Sequence, residues 1–299
     1  MNTEDKKVLF IVNKFSGTGY QASLEGKIIE ACENHNMECF IEFTKSRGHA
    51  TELAKEGVQK KFSSIMAVGG DGTVNEVARG LLHTSVPMGI LPRGSGNGLS
   101  RHLGIPMKIS HALQSLFSSQ IISMDTFTLN GQLSLNVSGV GFDGHIANLF
   151  AKDKKRGFTG YARLTITEFF KFNEFHATIS FGTETITRKA FIMAIANSSQ
   201  YGNNARIAPA ASVCDELLHL SILKKVPPYR LDFIYSFFSG NVDQSAYCDV
   251  IEAKNFVIKT DKRVAFHIDG EPCGETDQFD IRLLPGSLRM LVPATSTRF

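Results

Sequence analysis

Ser64-Ile65-Met66-Ala67-Val68-Gly69-Gly70-Asp71-Gly72-Thr73 decides how this chain is read. An unbroken apolar run ends in three glycines, one carboxylate and one hydroxyl. Residues 73–82 then carry Val74, Val77, Ala78 and Leu81 on one helical stripe. A buried strand that breaks into glycine and restarts as a helix is the sequence form of an anion-binding turn. Glycine lets backbone N–H groups approach phosphate oxygens, and a helix N-terminus adds the positive end of its dipole. Asp71 is placed to hold Mg²⁺ or to orient an attacking hydroxyl. The plainer reading is a glycine turn with Asp71 as a helix cap. Asn75 and Glu76 follow in the first helical turn, where an acid suits the dipole.

Strand and helix signals alternate on both sides of this stretch. Val8-Leu9-Phe10-Ile11-Val12 is continuously apolar, as strands buried on both faces are. Residues 23–35 read as a helix, 37–43 as a strand, 48–57 as a helix, 87–91 as a fourth strand and 106–117 as a helix. This order predicts a parallel sheet in an α/β layer domain. Two further polar, glycine-bearing loops follow strands. One is Asn13-Lys14-Phe15-Ser16-Gly17, and the other is Arg93-Gly94-Ser95-Gly96-Asn97-Gly98. Ligands bind at strand carboxyl ends in such sheets. Three such loops at one edge therefore predict a shared nucleotide cleft, with Arg93 neutralising phosphate and Ser95 bonding it.

The pattern changes near Ile121. Segments 123–129, 134–137, 176–181, 185–196 and 217–223 alternate as strands do, with one helical stretch at 161–172. Strands at 255–259, 264–269 and 279–284 follow. The expectation is an α/β nucleotide-binding domain over 1–125 and a β-sandwich-like domain over 126–285. A last strand at 286–299 is free to return to the first domain.

Composition narrows the function class. The chain has 299 residues, 32 basic and 29 acidic, for a net charge of +3. That balance gives no argument for nucleic acid and is compatible with a membrane surface. Five scattered cysteines without a C-x-x-C pair predict reduced thiols and a cytoplasmic setting. The polar first residues and the lack of any run of 18 apolar residues predict neither a signal peptide nor a spanning helix. Phenylalanine occurs 23 times, enough to line a greasy pocket as well as a core.

Three other segments need a reading. Gly139-Val140-Gly141-Phe142-Asp143-Gly144 matches G-x-G-x-x-G but is read as lying among strands, with no βαβ unit and no acid about 20 residues on to hold a ribose. Asp269-Gly270-Glu271 reads either as a hairpin turn or as a carboxylate placed to take a proton from an attacking hydroxyl. The basic run at 152–156, followed by Arg163, reads as a solvated loop. In a phosphoryl-transfer enzyme Arg156 or Arg163 would reach a terminal phosphate, and the run would also attract anionic lipid.

The loops at 13–17, 69–76 and 94–97, with Asp269-Gly270-Glu271, resemble the diacylglycerol kinase catalytic domain family, which includes sphingosine and ceramide kinases. Residues 44–50 and 136–143 resemble it too, and the match runs in order along essentially the whole chain. The resemblance implies an ATP-dependent lipid kinase acting on a diacylglycerol or sphingoid-type hydroxyl in phospholipid metabolism. It implies a peripheral membrane surface, and it admits a homodimer. ATP would lie in a cleft between an NAD kinase-like α/β domain and a β-sandwich. The nucleotide contacts would be Asn13, Ser16, Gly17, Thr44, Gly69, Gly70, Gly72, Thr73, Asn75, Arg93, Gly94 and Ser95. Asp71 would be the essential carboxylate near Mg²⁺, and Glu271 the general base.

Two departures stand out. Lys14 and Phe15 occupy positions where the family usually has Pro and a small or basic residue. In Cys214-Asp215-Glu216-Leu217-Leu218-His219, bacterial members carry Asp-Gly and a second Asp that form a structural Mg²⁺ site. Here Asp215 remains the one metal candidate, with Glu216 and His219 at the other two positions. NAD kinase shares Gly-Gly-Asp-Gly-Thr but also has a Thr-Gly-Ser-Thr-Ala-Tyr-type segment that this chain lacks. A non-catalytic lipid-binding module is the rival from another class, and the intact Asp71 and Glu271 argue against it.

Overall fold

This computed structural model describes residues 7–17, 23–152, 158–297 and 299. The chain divides into two compact units, Met1–Asp125 with Pro285–Phe299, and Thr126–Leu284.

The first unit alternates β1 (Lys7–Val12), α1 (Ser23–Glu33), β2 (Glu38–Phe43), α2 (His49–Gln59), β3 (Ser64–Gly69), α3 (Asp71–Leu81) and β4 (Met88–Pro92). A short α4 (Gly98–His102), α5 (Ile109–Phe117) and β5 (Ser119–Leu129) follow, and β5 carries the chain into the second unit. The strands lie in the order β4-β3-β1-β2, all parallel, with Val12 opposite both Phe43 and Val68. The C-terminal segment 288–292 returns to lie parallel to β4, Met290 opposite Met88. Parallel strands covered on both faces bury everything they carry. Phe10, Ile11, Ile65, Ile90 and Leu91 are accordingly inaccessible. The edge strand β2 instead alternates exposed and half-buried positions.

The second unit is antiparallel. It comprises β6 (Gln132–Ser134), β7 (Val137–Gly141), α6 (Phe142–Lys152), α7 (Phe158–Lys171), β8 (Phe175–Phe181), β9 (Glu184–Ala190), β10 (Ile192–Ala196), β11 (Gln200–Gly202) and β12 (Ala205–Arg206). After these come β13 (Leu218–Leu223), α8 (Leu231–Ser239), a 3₁₀ turn at Val242–Gln244, β14 (Cys248–Ala253), β15 (Asn255–Ile268) and β16 (Glu271–Pro293), which passes into the first unit after Leu284. Strands β14-β13-β10-β7-β15 form one run. The first half of β15 turns to β8 and its second half to β7, while β16 folds back along it. Phe127, Phe175, Phe256 and Phe279 fill the core between these strands.

Several expectations need correction. The strand expected at 134–137 is a break between β6 and β7. The Asp269 carboxylate accepts Leu135 N and Asn136 N at 2.9 and 3.0 Å, which takes those amides out of any ladder. The strand expected at 185–196 is two strands. At Phe191 the chain donates to Leu223 O and accepts from Phe142 N, leaving β8 for new neighbours. The segments at 255–259 and 264–269 are one strand with an irregular register between Lys259 and Val264. Helix α8 and strand β14 were not expected. The Leu231–Ser239 stretch is short and apolar or aromatic at six of its nine positions, a run that periodicity alone does not assign to helix or strand. Gly139–Gly144 is a strand running into a helix rather than a segment among strands. A Cβ on Gly144 would lie 2.5 Å from Ala265 O and from Phe266 Cα, so glycine lets the start of α6 rest on the backbone of β15.

Candidate active site

In the first unit β2 lies on one side of β1, and β3 and β4 lie on the other. The winding direction therefore reverses between β1 and β3, and a crevice opens at the carboxyl ends of strands at such a point. Asn13 follows β1, Thr44 follows β2, Gly69 ends β3 with Gly70 after it, and Arg93 follows β4. The four strand ends that the sequence marked are thus on one edge.

The loops hold one another. Asn13 N donates to Val68 O at 3.0 Å, and Asn13 Nδ2 donates to Thr73 Oγ1 at 3.0 Å, tying the first loop to the second. Asn13 Oδ1 accepts Phe15 N at 2.9 Å, a local turn that Asn favours. The Ser16 hydroxyl donates to Asn13 O at 2.9 Å. Gly17 has φ 66°, and a Cβ there would lie 2.1 Å from Arg93 O, so the first loop ends against the third. Arg93 N donates to Gly69 O at 2.7 Å. A Cβ on Gly94 would lie 2.7 Å from Gly70 Cα, so the second and third loops meet backbone to backbone.

Two side chains fix the third loop. Asn97, at φ 50°, accepts Gly94 N at 2.9 Å and donates to Gly94 O at 2.8 Å. The Asp71 carboxylate accepts Asn97 N at 3.0 Å and Gly98 N at 3.1 Å. Asp71 is therefore a cap, but of α4 and not of its own helix. The N-cap of α3 is Gly70, which offers no side-chain bond. The first-turn N–H groups of a helix have no intrahelical acceptor. At α3 they point to the switch-point crevice without a capping side chain from Gly70, the arrangement that receives phosphate.

Glu76 serves a neighbour too. From α3 it accepts Gly48 N at 2.9 Å and Ala50 N at 3.3 Å, and its carbonyl accepts the Thr51 hydroxyl at 2.7 Å. It caps α2 and steadies the segment after Thr44, whose N–H donates to Val12 O at 3.0 Å. Lys14 lies 3.8 Å from the centre of the Phe43 ring, so the departure at 14 gives a cation–π contact at the end of β2. Asn75 is buried and accepts Arg79 Nε at 2.8 Å, while Ser95 is exposed at the loop tip.

In the second unit Asp269-Gly270-Glu271 is a two-residue hairpin. Asp269 and Gly270 have φ 48° and 86°, the signs a type I′ turn requires. The Asp269 carboxylate accepts Ser134 Oγ at 2.7 Å as well as the two amides already described, so it is structural. Glu271 begins β16 opposite Ile268 with its side chain exposed. Arg163 on α7 is exposed, and Arg156 lies outside the described residues.

The Asp215 segment does not fit a structural Mg²⁺. Asp215 Oδ1 accepts Leu217 N at 3.0 Å, and Glu216, at φ 59°, pairs with Lys254 at 2.6 Å. Buried His219 stands 3.4 Å from Glu252. An imidazole stands where the second carboxylate would be, and the Glu216 carboxylate is taken up by Lys254, so the oxygen donors that Mg²⁺ requires are not assembled. Among the described residues no group of three or more His, Cys, Asp or Glu could hold a metal. The Mg²⁺ that travels with a nucleotide needs only one or two carboxylates besides phosphates. Asp71, beside a cradle that any Cβ on Gly94 would fill, is the carboxylate among the glycine loops that would serve such an ion.

Sequence reading missed Asn97 and Glu76 as builders of the site. The Gly-Asn-Gly string was a signal for Asn97, since Asn is one of the few residues that takes positive φ readily. Nothing local signals that Glu76 serves α2.

Residues 7–129 match the model of the diacylglycerol kinase catalytic domain, and residues 136–292 match that of the YegS C-terminal NAD kinase beta sandwich-like domain. A Chromohalobacter salexigens protein named "Probable lipid kinase YegS-like" is 26% identical over 278 residues, 91% of this chain and 88% of that protein. A namesake from Pseudomonas syringae pv. syringae is 29% identical over 265 residues, 87% of this chain and 85% of its own. A crystal structure of a diacylglycerol kinase from Bacillus anthracis str. Sterne shares the fold. Its TM-score is 0.76 at 24% identity, covering 99% of this chain and all of that one.

Proposed function

Because this chain belongs to the diacylglycerol kinase catalytic domain family, with a YegS-type C-terminal domain, we propose that it transfers the γ-phosphate of ATP to a hydroxyl of a diacylglycerol or sphingoid-type lipid. The observation that carries the reading is the switch-point cradle, in which Asn13, Asp71 and Asn97 lock three glycine loops around the uncapped start of α3.

Phosphoryl transfer asks a protein mainly for positioning and charge neutralisation. Backbone N–H groups of Gly70 and Gly72 would bind phosphate oxygens, and the Arg93 guanidinium would add positive charge. When bound beside Asp71, Mg²⁺ would offset the charge that develops on the phosphate oxygens. Glu271 would accept the proton of the lipid hydroxyl as its oxygen attacks phosphorus, and ADP would leave. The phenylalanine-rich second unit would hold the hydrocarbon part of the acceptor. Among the described residues no helix is long and apolar enough to cross a membrane. The reading therefore has the protein meet its lipid at the bilayer surface.

The test is transfer of labelled phosphate from ATP with Mg²⁺ to a panel of dispersed lipids, with NAD as a soluble acceptor. Label on one lipid class names the substrate. Label on NAD alone, or on no acceptor while ATP still binds, overturns the proposal.

A further inference from the structure

The G-x-G-x-x-G match at 139–144 is left over by the phosphate site, and its side chains converge on the Asp269–Gly270 turn. Asp143, at the head of α6, accepts Tyr201 OH at 2.9 Å and Gly144 N at 2.8 Å. Its Oδ2 stands 3.3 Å from His267 Nε2, with side-chain exposures of 13% and 5%. The other ring nitrogen, His267 Nδ1, stands 3.2 Å from Gly270 N. A backbone N–H can only donate and a carboxylate can only accept. The Gly270 N–H therefore donates to a bare His267 Nδ1, which leaves the ring proton on Nε2, facing the Asp143 carboxylate across 3.3 Å. Gly139 faces His267 across the β7–β15 pair, and a Cβ there would lie 1.8 Å from Asp143 Oδ2 and 2.7 Å from His267 Nε2. Gly139 therefore clears room for the ion–imidazole contact, while Gly144 lets α6 rest on the backbone of β15.

We propose that Asp143 and His267 are positioning residues: through the Gly270 N–H they hold the two-residue turn that delivers Glu271. The turn is pinned on both residues, Asp269 by three donors from 134–136 and Gly270 by His267. Glu271 is the next residue, so its Cα position and its direction of approach are set by that turn. Buried networks with every member satisfied hold a single geometry, and misplacing a catalytic group by an ångström is costly to rate. Imidazole suits the task because its two nitrogens lie on opposite sides of a rigid ring. The role assigned to Glu271 rests on the kinase reading above; the hold on the turn does not.

The experiment uses the full-length protein and two readouts. His267→Leu removes both nitrogens, while His267→Asn keeps an acceptor near the Nδ1 position. Residue-resolved amide exchange reads the Gly270 N–H without any turnover. In His267→Leu that amide is expected to exchange about tenfold faster, and in His267→Asn at close to the wild-type rate. Amides of Val257 and Phe279, farther along the same hairpin, keep their protection in both. On the lipid that accepts label, kcat in His267→Leu falls about 10- to 100-fold with KM for MgATP unchanged, and His267→Asn regains most of it. If His267→Leu does not fold, Asp143→Asn, which keeps the side-chain volume, is expected to loosen the Gly270 amide in the same direction. Unchanged exchange at Gly270, or kcat falling equally in the Leu and Asn variants, overturns the proposal. Wild-type protein that labels no lipid overturns the kinase reading instead, and the exchange arm still decides whether His267 holds the turn.

Discussion

The Asp71 carboxylate at the head of α3 stands 3.0 Å from the backbone nitrogen of Asn97, so one side chain serves both the second and the third glycine loop. Asp71→Ala strips two amides at the start of α4 and is expected to lower unfolding free energy by about 1–2 kcal/mol. Asp71→Asn keeps one oxygen acceptor and costs less. Both are expected to lose about 100-fold in kcat, because neither offers a charged ligand beside the phosphates. Denaturant unfolding and steady-state kinetics on the two variants separate the roles. Near-normal turnover in Asp71→Asn would reduce Asp71 to a cap.

Gly17 and Gly48 make a matched pair. Both have positive φ, 66° and 86°, but a Cβ on Gly17 would strike the Arg93 carbonyl while one on Gly48 meets nothing within 4 Å. Gly48→Ala should cost only the backbone term of about 1–2 kcal/mol. Gly17→Ala should also push the first loop off the third and weaken MgATP binding by about tenfold or more. Titration calorimetry checks this, and equal MgATP affinity in the two variants would contradict it.

Glu76 predicts a defect far along the chain from its own position. Glu76→Ala leaves Gly48 N and Ala50 N without their acceptor at the start of α2, whose N-cap Gly48 has no side chain to help. The expected loss is about 1–2 kcal/mol, less for Glu76→Gln. Amide exchange should report it at residues 48–51 before it reports anything in α3.

Glu174 gives the second unit a pH signature. Burial works against its ionisation, but bonds from Lys189 and the Lys225 N–H outweigh that and hold it below its ordinary value of 4.5. A carboxylate depressed in the folded state contributes stability above its unfolded pKa and loses it as pH falls through the folded one. The urea midpoint of wild type minus that of Glu174→Gln should be flat above about pH 5 and shrink below about pH 4.5. A difference that grows on acidification would contradict the assignment.

The glycine loops were legible because glycine is demanded where backbones nearly touch, as at Gly94 and Gly70. The parallel strands were legible because Val8–Val12 and Ile65–Val68 have no polar position to place. What joins the loops was not. Asn97 and Asp71 are 26 residues apart and meet through backbone amides, which leave no period in a sequence. The hairpin at Asp269 showed its turn in Asp-Gly, but its anchorage to 134–136 comes from across the sheet. Gly139–Gly144 matched a dinucleotide motif in form alone, since glycines that admit a ligand and glycines that admit a neighbouring strand look alike in one dimension. The ring nitrogens of His267 then gave that motif its use.

Strand β16 begins in the second unit, and its far end, 288–292, lies beside β4 in the first. A ribosome therefore delivers β1 to β4, with all three glycine loops, long before the strand that closes the side of β4. Through the synthesis of 126–284 the nascent first unit has a bare strand edge, and such an edge is a template for wrong partners. A fragment ending at Asp125 would keep that edge for good. The first unit is completed only by a segment that is made after the whole of the second.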